Sequence, residues 1–160
     1  MSGKFPEYLG IPADRLGIGS GVRVEIVADA AALAERMAAD LLAVIQAALS
    51  SGRAPTLIVP VGPVDQYPIL AGLINRHGVS LRSTVLINMD EYLTDADRWL
   101  PLDHPLSFRA FMDRAFYDLL DPQLAPPPSH RVFPDPGHPE SIGVLTAQRG
   151  GLDACFGGIG

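Results

Sequence analysis

Alternating apolar and polar residues predict where the regular structure of the chain begins. Residues 22–28, "VRVEIVA", alternate with a period of two, which is typical of a half-buried strand. Asp29 follows as an N-cap, and the next segment predicts a helix that runs to about Leu49 and stops at Gly52. The apolar positions of that helix recur at helical spacing: Leu33, Met37, Leu41, Val44, Ile45 and Ala48.

Two further apolar runs predict strands that are each followed by a helix. "TLIVP" at 56–60 breaks at a Pro/Gly turn, and "YPILAGLINRHG" then predicts a helix with Pro68 in its first turn and Gly78 at its end. "TVLINMD" predicts the next strand, and "PLSFRAFMDRAFYDLL" at 105–120 predicts a helix opened by proline. The apolar face of the helix predicted at 105–120 comprises Phe108, Phe111, Met112, Ala115, Phe116 and Leu119.

The order of the predicted elements indicates the fold class. Prolines crowd residues 121–139 and exclude a regular helix or a central strand there, although "HRVF" can pair at a sheet edge. "PESIGVLTAQRGG" predicts another helix, and "LDACFGGIG" predicts an apolar strand that enters a glycine loop. We therefore expect an α/β fold with a mainly parallel sheet and helices on both faces, in one domain over residues 1–160.

Unusual residues follow three of the predicted strands. The loops are "PVGPVD" from residue 60, "NMDEY" from residue 88 and "GGIG" from residue 157. In parallel α/β sheets, ligands bind outside the carboxyl ends of the strands. The coincidence of the three loops at such ends is the first indication of a binding site.

Composition and charge narrow the class of protein. With 160 residues, 48% hydrophobic and 19% charged, the chain is neither disordered nor membrane-like. The net charge of −6 argues against nucleic acid as a partner. The N-terminus lacks a secretory signal, and the single cysteine, Cys155, excludes an internal disulfide and a Cys-based zinc site. We expect a cytoplasmic protein in which Cys155 is a small buried hydrophobe.

The adjacent carboxylates Asp90 and Glu91 have two interpretations. A carboxylate at the mouth of an apolar strand can have a raised pKa and can abstract a proton. Alternatively, an acidic residue here caps the following helix or stays solvated as an ordinary loop residue. Local pattern leaves both interpretations open.

The glycine loop and the histidines indicate less. Gly157, Gly158 and Gly160 can bring backbone N–H groups close to a ligand, but tight turns use the same residues. His104 precedes Pro105 and is typical of a capping or packing residue. The remaining histidines lack ligand spacing, so we expect no metal and no cofactor.

Motifs in these loops carry a resemblance to a known family. "NMDEY" at 88–92 and "HPLSFRAFMDRAFYDLL" at 104–120 are similar to N-M-D-E-Y followed by H-P-x-S-[YF]-x-x-F-M. "GGLDACFGGIG" at 150–160 is similar to a strand ending in G-G-[IV]-G. In this order, over about residues 22–160, the sequence resembles the glucosamine-6-phosphate deaminase (isomerase) family. That family shares its fold with the 6-phosphogluconolactonases, which implies a Rossmann-like architecture.

The resemblance implies an amino-sugar phosphate isomerase and deaminase of carbohydrate metabolism. The Asp of N-M-D-E-Y is the family's base, which moves a proton between C1 and C2 of the open-chain sugar, so the expected catalytic residues are Asp90 and, in support of the site, Glu91. The expected substrate-binding residues are Val61, Gly62, Pro63, Val64, Gly157, Gly158 and Gly160. The expected partner is a small-molecule sugar or sugar phosphate, without nucleic acid or membrane, and a homo-oligomer is left open.

Two departures from the family pattern affect these expectations. The family's phosphate loop reads P-T-G-[GS]-T-P, whereas "PVGPVD" replaces both hydroxyl residues by valine, loses an N–H at Pro63 and adds Asp65. A substrate without phosphate, or one bound elsewhere, is therefore an alternative. The family also continues after G-G-[IV]-G with N-D-G-H-I-A-F-N-E-P, so we expect the N-terminal part of such an enzyme.

Two other functions remain as alternatives at this point. The altered phosphate loop favours a sugar-binding or regulatory module that kept the fold without catalysis. A lactonase-like hydrolase is the third hypothesis, although "NMDEY" is the less expected variant for it.

Overall fold

A parallel sheet and the helices around it form most of the described structure. The computed structural model describes residues 6–157. The helices are α1 (Ala30–Ser50), α2 (Gln66–His77), α3 (Phe108–Ala115) and α4 (Ser141–Gln148), and the strands are β1 (Thr56–Val59), β2 (Val85–Asn88), β3 (Arg131–Val132) and β4 (Ala154–Cys155). Short 3₁₀ turns span Glu7–Gly10, Ala13–Arg15, Tyr117–Leu119 and Pro128–His130. The α/β class expected from the sequence is confirmed.

The four strands are parallel and are ordered β3-β2-β1-β4. The chain proceeds from β1 through β2 to β3 in one direction and then returns to the far side of β1. With right-handed connections, this reversal places α2 and α3 on one face of the sheet and α4 on the other. The reversal also creates a switch point between β1 and β4, where such folds bind ligands.

Helix and strand signals in the sequence are mostly confirmed. Asp29 caps α1, because its Oδ1 accepts a hydrogen bond from the backbone N–H of Ala32 at 2.8 Å. Gly78 ends α2 in the left-handed conformation with φ of 61°, as a helix-terminating glycine does. The edge pairing of "HRVF" is also confirmed, since β3 pairs with β2.

The hydrophobic core lies between the sheet and its helices. Apolar side chains of α1, α2 and α3 bury against β1 and β2, where all of Val85–Asn88 is buried. The largest fully buried apolar side chains are Tyr67, Phe116, Leu41, Ile45, Leu57, Ile74, Leu81, Ile87 and Met112. Burial of this kind contributes about 1.5–3 kcal/mol for each large apolar side chain.

The predicted strand at 22–28 is wrong. The segment forms no strand among the described residues, and Val22, Val24 and Ile26 are exposed, Val22 by 65%. Gly17 instead forms a turn with φ of 78°, and a Cβ there would lie 2.6 Å from Val24 Cγ2. An alternating segment forms a strand only when a neighbouring strand supplies hydrogen bonds. No strand pairs with residues 22–28 in the described part of the chain.

Other corrections concern single positions. Cys155 is exposed rather than buried, because β4 is a two-residue strand at the edge of the described sheet. Helix α3 was predicted to begin at Pro105. It begins at Phe108, with Ser107 as its N-cap, and ends at Ala115. Leu119 therefore falls in a 3₁₀ turn and is exposed. Leu33 is exposed because the buried stripe of α1 begins with Ala34 and continues through Ala38, Leu41, Leu42, Ile45 and Ala48.

The chain divides into two compact units, Met1–Leu33 and Ala34–Gly160. Described residues of the first unit form 3₁₀ turns, the turn at Gly17 and the start of α1. The second unit holds the sheet and the remaining helices. No helix among the described residues is both long and apolar enough to cross a membrane.

Candidate active site at the carboxyl edge of the sheet

Parallel strands bring the predicted loops to one edge of the sheet. The loops after β1, β2 and β4 leave from strands that are neighbours in the order β2-β1-β4. Val59, at the end of β1, is in register with Asn88 at the end of β2. The loops that begin at Pro60, Met89 and Phe156 therefore start at the same edge, which we call the carboxyl edge.

Asp90 lies on this edge with its side chain exposed. The backbone before it is fixed, because the N–H of Met89 donates to the carbonyl of Val59 at 3.0 Å. Asn88 is fully buried and its Nδ2 donates to the carbonyl of Val132 at 3.1 Å. Within residues 6–157 the Asp90 carboxylate makes no hydrogen bond or ion pair, so it is free to meet a ligand.

Glu91 points the other way, into the protein, with 1% of its side chain exposed. Its Oε1 accepts from the backbone N–H groups of Phe108 and Tyr92, both at 2.9 Å. Its Oε2 accepts from the backbone N–H of Arg109 at 2.9 Å and from Arg109 Nε at 3.2 Å. Glu91 thus caps the N-terminus of α3 with its carboxyl oxygens, at the end of the helix where the dipole favours negative charge.

The two interpretations of the acidic pair therefore apply to different residues. Glu91 is the cap, and its acceptors are occupied by four N–H donors, with Ser107 Oγ at 3.4 Å from Oε2. Asp90 is the exposed carboxylate that can exchange protons with a bound molecule. The role expected for Glu91 in supporting the site remains a prediction, and its hydrogen bonds to the start of α3 favour that role.

Arg109 and Trp99 complete the support of this loop. The Arg109 guanidinium lies 4.6 Å from the centroid of the Trp99 ring and also donates to the carbonyl of Leu100. Trp99 Nε1 donates to the carbonyl of Pro134 at 2.7 Å, which ties the loop after β2 to the loop after β3. Sequence reasoning missed both residues; the one tryptophan of the chain, within a polar loop, was the available signal.

His104 has a local role in the same loop. Its Nδ1 accepts the backbone N–H of Leu106 at 3.2 Å, and its backbone N–H donates to the carbonyl of Pro101 at 3.0 Å. His104 was expected to cap or to pack; its ring stabilises the turn before α3, whose N-cap is Ser107.

The loop after β1 offers few hydrogen-bond donors to a ligand. Val61 is buried, whereas Gly62, Pro63 and Val64 are exposed. Tyr67 anchors the start of the loop, because its hydroxyl donates to the carbonyl of Pro60. None of the residues 61–64 carries a polar side chain, so only backbone groups can bind there.

The glycine loop is described only at its start. Phe156 continues the pairing of β4, since its N–H donates to the carbonyl of Ile58 at 2.9 Å, and Gly157 follows in an exposed position. Gly158 and Gly160 lie outside the described residues. Within residues 6–157, no three His, Cys, Asp or Glu side chains are grouped so as to hold a metal ion.

Comparison with known proteins agrees with the motif resemblance. No family model matches the chain. A glucosamine-6-phosphate deaminase of Phocaeicola vulgatus is 31% identical over 149 residues, which cover 87% of this chain and 53% of that protein. The chain is thus similar to proteins named glucosamine-6-phosphate deaminase over part of their length. The enzyme of that name from Cronobacter sakazakii is 38% identical over 65 residues, 39% of this chain and 23% of that protein.

A solved structure shows the same fold. It is described as a monomeric glucosamine-6-phosphate deaminase of the NagB superfamily, and it aligns with a TM-score of 0.63 at 20% identity. The alignment covers 82% of this chain and 52% of that one. The chain thus spans about half the length of the Phocaeicola relative and of this structure.

Proposed function

We propose that this chain supplies the proton-transfer base of an amino-sugar isomerase and deaminase, and that the base is Asp90. One observation carries the proposal: an exposed carboxylate, without a partner among residues 6–157, stands at the carboxyl end of β2, on a loop fixed by a buried neighbour. The relatives named glucosamine-6-phosphate deaminase support the reaction class.

The reaction requires a base that both takes and returns a proton. Asp90 removes the proton from C2 of the open-chain amino aldose, and the electron pair of the C–H bond forms a C1–C2 double bond. The π pair of the aldehyde moves to O1 at the same time, and O1 takes up a proton from the ammonium group at C2. The same carboxyl group then returns the proton to C1, which leaves an imine at C2. Water adds to the imine and ammonia departs, so one amino sugar and one water give one ketose and one ammonia.

The placement of Asp90 suits this proton shuttle. A base that serves two neighbouring carbons must reach both without losing its own position. The loop is held by Glu91 beneath it and by the Met89 N–H bond to Val59, while the Asp90 carboxylate keeps its acceptors for the substrate. Exposure at the switch-point edge gives the sugar a route to the base.

Exchange of Asp90 for asparagine tests the assignment. Asp90→Asn keeps the shape of the side chain but removes its basicity, so ammonia release and deuterium exchange at C2 should fall by about 10²-fold or more. Asp118→Asn is the matched control, because Asp118 is an exposed acid in the 3₁₀ turn Tyr117–Leu119, outside the carboxyl-edge loops. Circular dichroism of both variants establishes that they fold.

The outcomes separate an enzyme from a binding module. Loss of turnover in Asp90→Asn, with the control unchanged, supports the assigned base. Equal turnover in both variants contradicts it. Sugar binding by calorimetry without ammonia release from the unaltered chain favours the non-catalytic module.

A further inference from the structure

The helix N-termini at the carboxyl edge are closed to anions. In α/β folds a phosphate commonly binds to free N–H groups where a helix follows a strand. Helix α3 follows β2 at this edge, but the Glu91 carboxylate already occupies the N–H groups of Phe108 and Arg109. A phosphate would have to displace a buried and paired carboxylate to bind there.

Helix α2 is closed in a different way. Pro63 lacks an N–H, and Asp65 places a carboxylate at the N-cap without a side-chain capping bond. Helix α4 likewise begins after Glu140, which also makes no side-chain capping bond. Each helix that begins at the carboxyl edge therefore has an acidic residue at or against its N-terminus.

A neutral polar group lies at the start of α2. Gln66 is fully buried, and neither its Nε2 nor its Oε1 has a hydrogen-bond partner within the described residues. The amide is uncharged, so it adds no positive charge to the start of α2. This first residue of α2 follows directly on the loop 61–65.

The charge of the surrounding loops has the same sign. Segments 60–65, 89–107 and 133–140 contain eight acidic residues and a single arginine, Arg98. The two histidines of these segments, His104 and His138, add positive charge only when protonated, and Nδ1 of His138 lies 3.1 Å from Asp135. The arginine at the start of α3, Arg109, is already paired with Glu91. A dianionic ligand would thus meet repulsion from several sides, whereas an ammonium group would be attracted.

We infer that the carboxyl-edge site binds an amino sugar that carries no phosphate group, in its neutral or cationic form. The inference rests on the proposed function, since it concerns the ligand of the same site. It combines the occupied N-terminus of α3, the acidic N-terminus of α2, the neutral buried amide of Gln66 and the acidic loops. The loop at 61–64 agrees with the inference, because none of its side chains is polar.

Competition between two matched sugars tests the inference. Calorimetric titration with glucosamine and with glucosamine 6-phosphate, at low and high salt, compares ligands that differ only in the phosphate. Glucosamine should bind at least about tenfold more tightly at low salt, and the ratio should shrink as salt screens the edge charges. Equal affinities, no binding of either sugar, or tighter binding of the phosphate ester would overturn the inference.

A charge variant connects the preference to this edge. Asp65→Asn should raise the affinity for glucosamine 6-phosphate about threefold to tenfold relative to glucosamine, since one repelling charge is removed. Asp118→Asn removes the same charge outside the carboxyl-edge loops and should leave the ratio unchanged. A ratio that changes equally in both variants shows that overall charge, rather than this edge, sets the preference, and it contradicts the inference.

Ammonia release separates failure of this inference from failure of the proposed function. Release from glucosamine in preference to its phosphate ester supports both. Preferential release from the phosphate ester keeps the proposed function and overturns the ligand inference. Tighter binding of glucosamine without release keeps the ligand inference and removes the catalytic proposal.

Discussion

Asp90 and Glu91 are neighbours with opposite environments. Asp90 is exposed, whereas only 1% of the Glu91 side chain is exposed, because its oxygens accept the backbone N–H groups of Tyr92, Phe108 and Arg109. Glu91 is tolerated inside because three backbone N–H donors and the Arg109 guanidinium compensate its charge. The same pair that looks redundant in the sequence thus divides into a ligand-facing residue and an anchor.

Removal of the anchor should cost much of the stability of the protein. Glu91→Ala leaves the Arg109 guanidinium and two N–H groups of α3 without their acceptor, so the free energy of unfolding should fall by about 3–5 kcal/mol. Urea denaturation followed by circular dichroism measures the change. Glu35→Ala, at an exposed position of α1, is the control and should change stability by no more than about 0.5 kcal/mol. A loss below about 1 kcal/mol for Glu91→Ala would contradict the anchoring role.

At the scale of elements, α2 shows how one residue type acts differently at two positions of a helix. Gly72 lies within the helix and Gly78 at its C-cap, and a Cβ added at either position would meet no atom within 4 Å. The positions differ in backbone conformation, because Gly78 has φ of 61° and Gly72 is helical. Space is thus equal at the two glycines, and conformation decides the effect of substitution.

The same substitution at these two glycines should have opposite effects. Gly72→Ala should stabilise the protein by about 0.5–1 kcal/mol, because alanine loses less backbone entropy in a helix. Gly78→Ala should destabilise it by about 1 kcal/mol, because alanine is strained in the left-handed region. Thermal unfolding of both variants against the unaltered chain measures the difference, and changes of equal sign would refute the argument.

Contacts between residues far apart in the sequence stabilise the amino edge of the sheet, where its strands begin. Arg149, after α4, donates to the carbonyl of Ser83 at 2.6 Å, of Ala54 at 3.2 Å and to Thr56 Oγ1 at 3.1 Å. Asp153 accepts the backbone N–H of Thr56 at 2.8 Å and pairs with Arg53. These bonds join the last described strand to the first, so they stabilise the sheet as a whole rather than one element.

The Asp153 contacts should make stability depend on pH in the acid range. Burial raises the pKa of Asp153, but the Thr56 N–H and the Arg53 guanidinium lower it more, so its pKa lies below the ordinary value of 3.8. The stabilisation is therefore complete above that value and is lost as the pH falls through the lower pKa of the folded protein. Asp153→Asn should flatten the acid side of a stability–pH curve and cost about 1 kcal/mol at pH 7. Asp118→Asn should leave the curve unchanged, and an acid limb as steep in Asp153→Asn as in the unaltered chain would contradict the assignment.

Much of the fold could be predicted because its signals are local. Asp29 as a cap, Gly78 as a terminator and the apolar runs at β1 and β2 depend on neighbours within a few residues. The strand predicted at 22–28 was wrong for the opposite reason. A strand needs a partner strand, and the alternation within one segment does not show whether a partner is present. The predicted burial of Cys155 was wrong because its apolar neighbours in the sequence do not show that β4 lies at an edge of the sheet.

The sequence by itself determined the α/β order, the similarity to the deaminases and the position of Asp90 after the second paired strand. Only the tertiary structure decided that Glu91 caps a helix that begins 17 residues later, and that Arg109, Trp99 and Pro134 secure the same loop. It also gathered the acidic loops at one edge. The physical reason is that capping, stacking and charge density depend on distances in space, which a linear pattern contains only when partners are near in sequence.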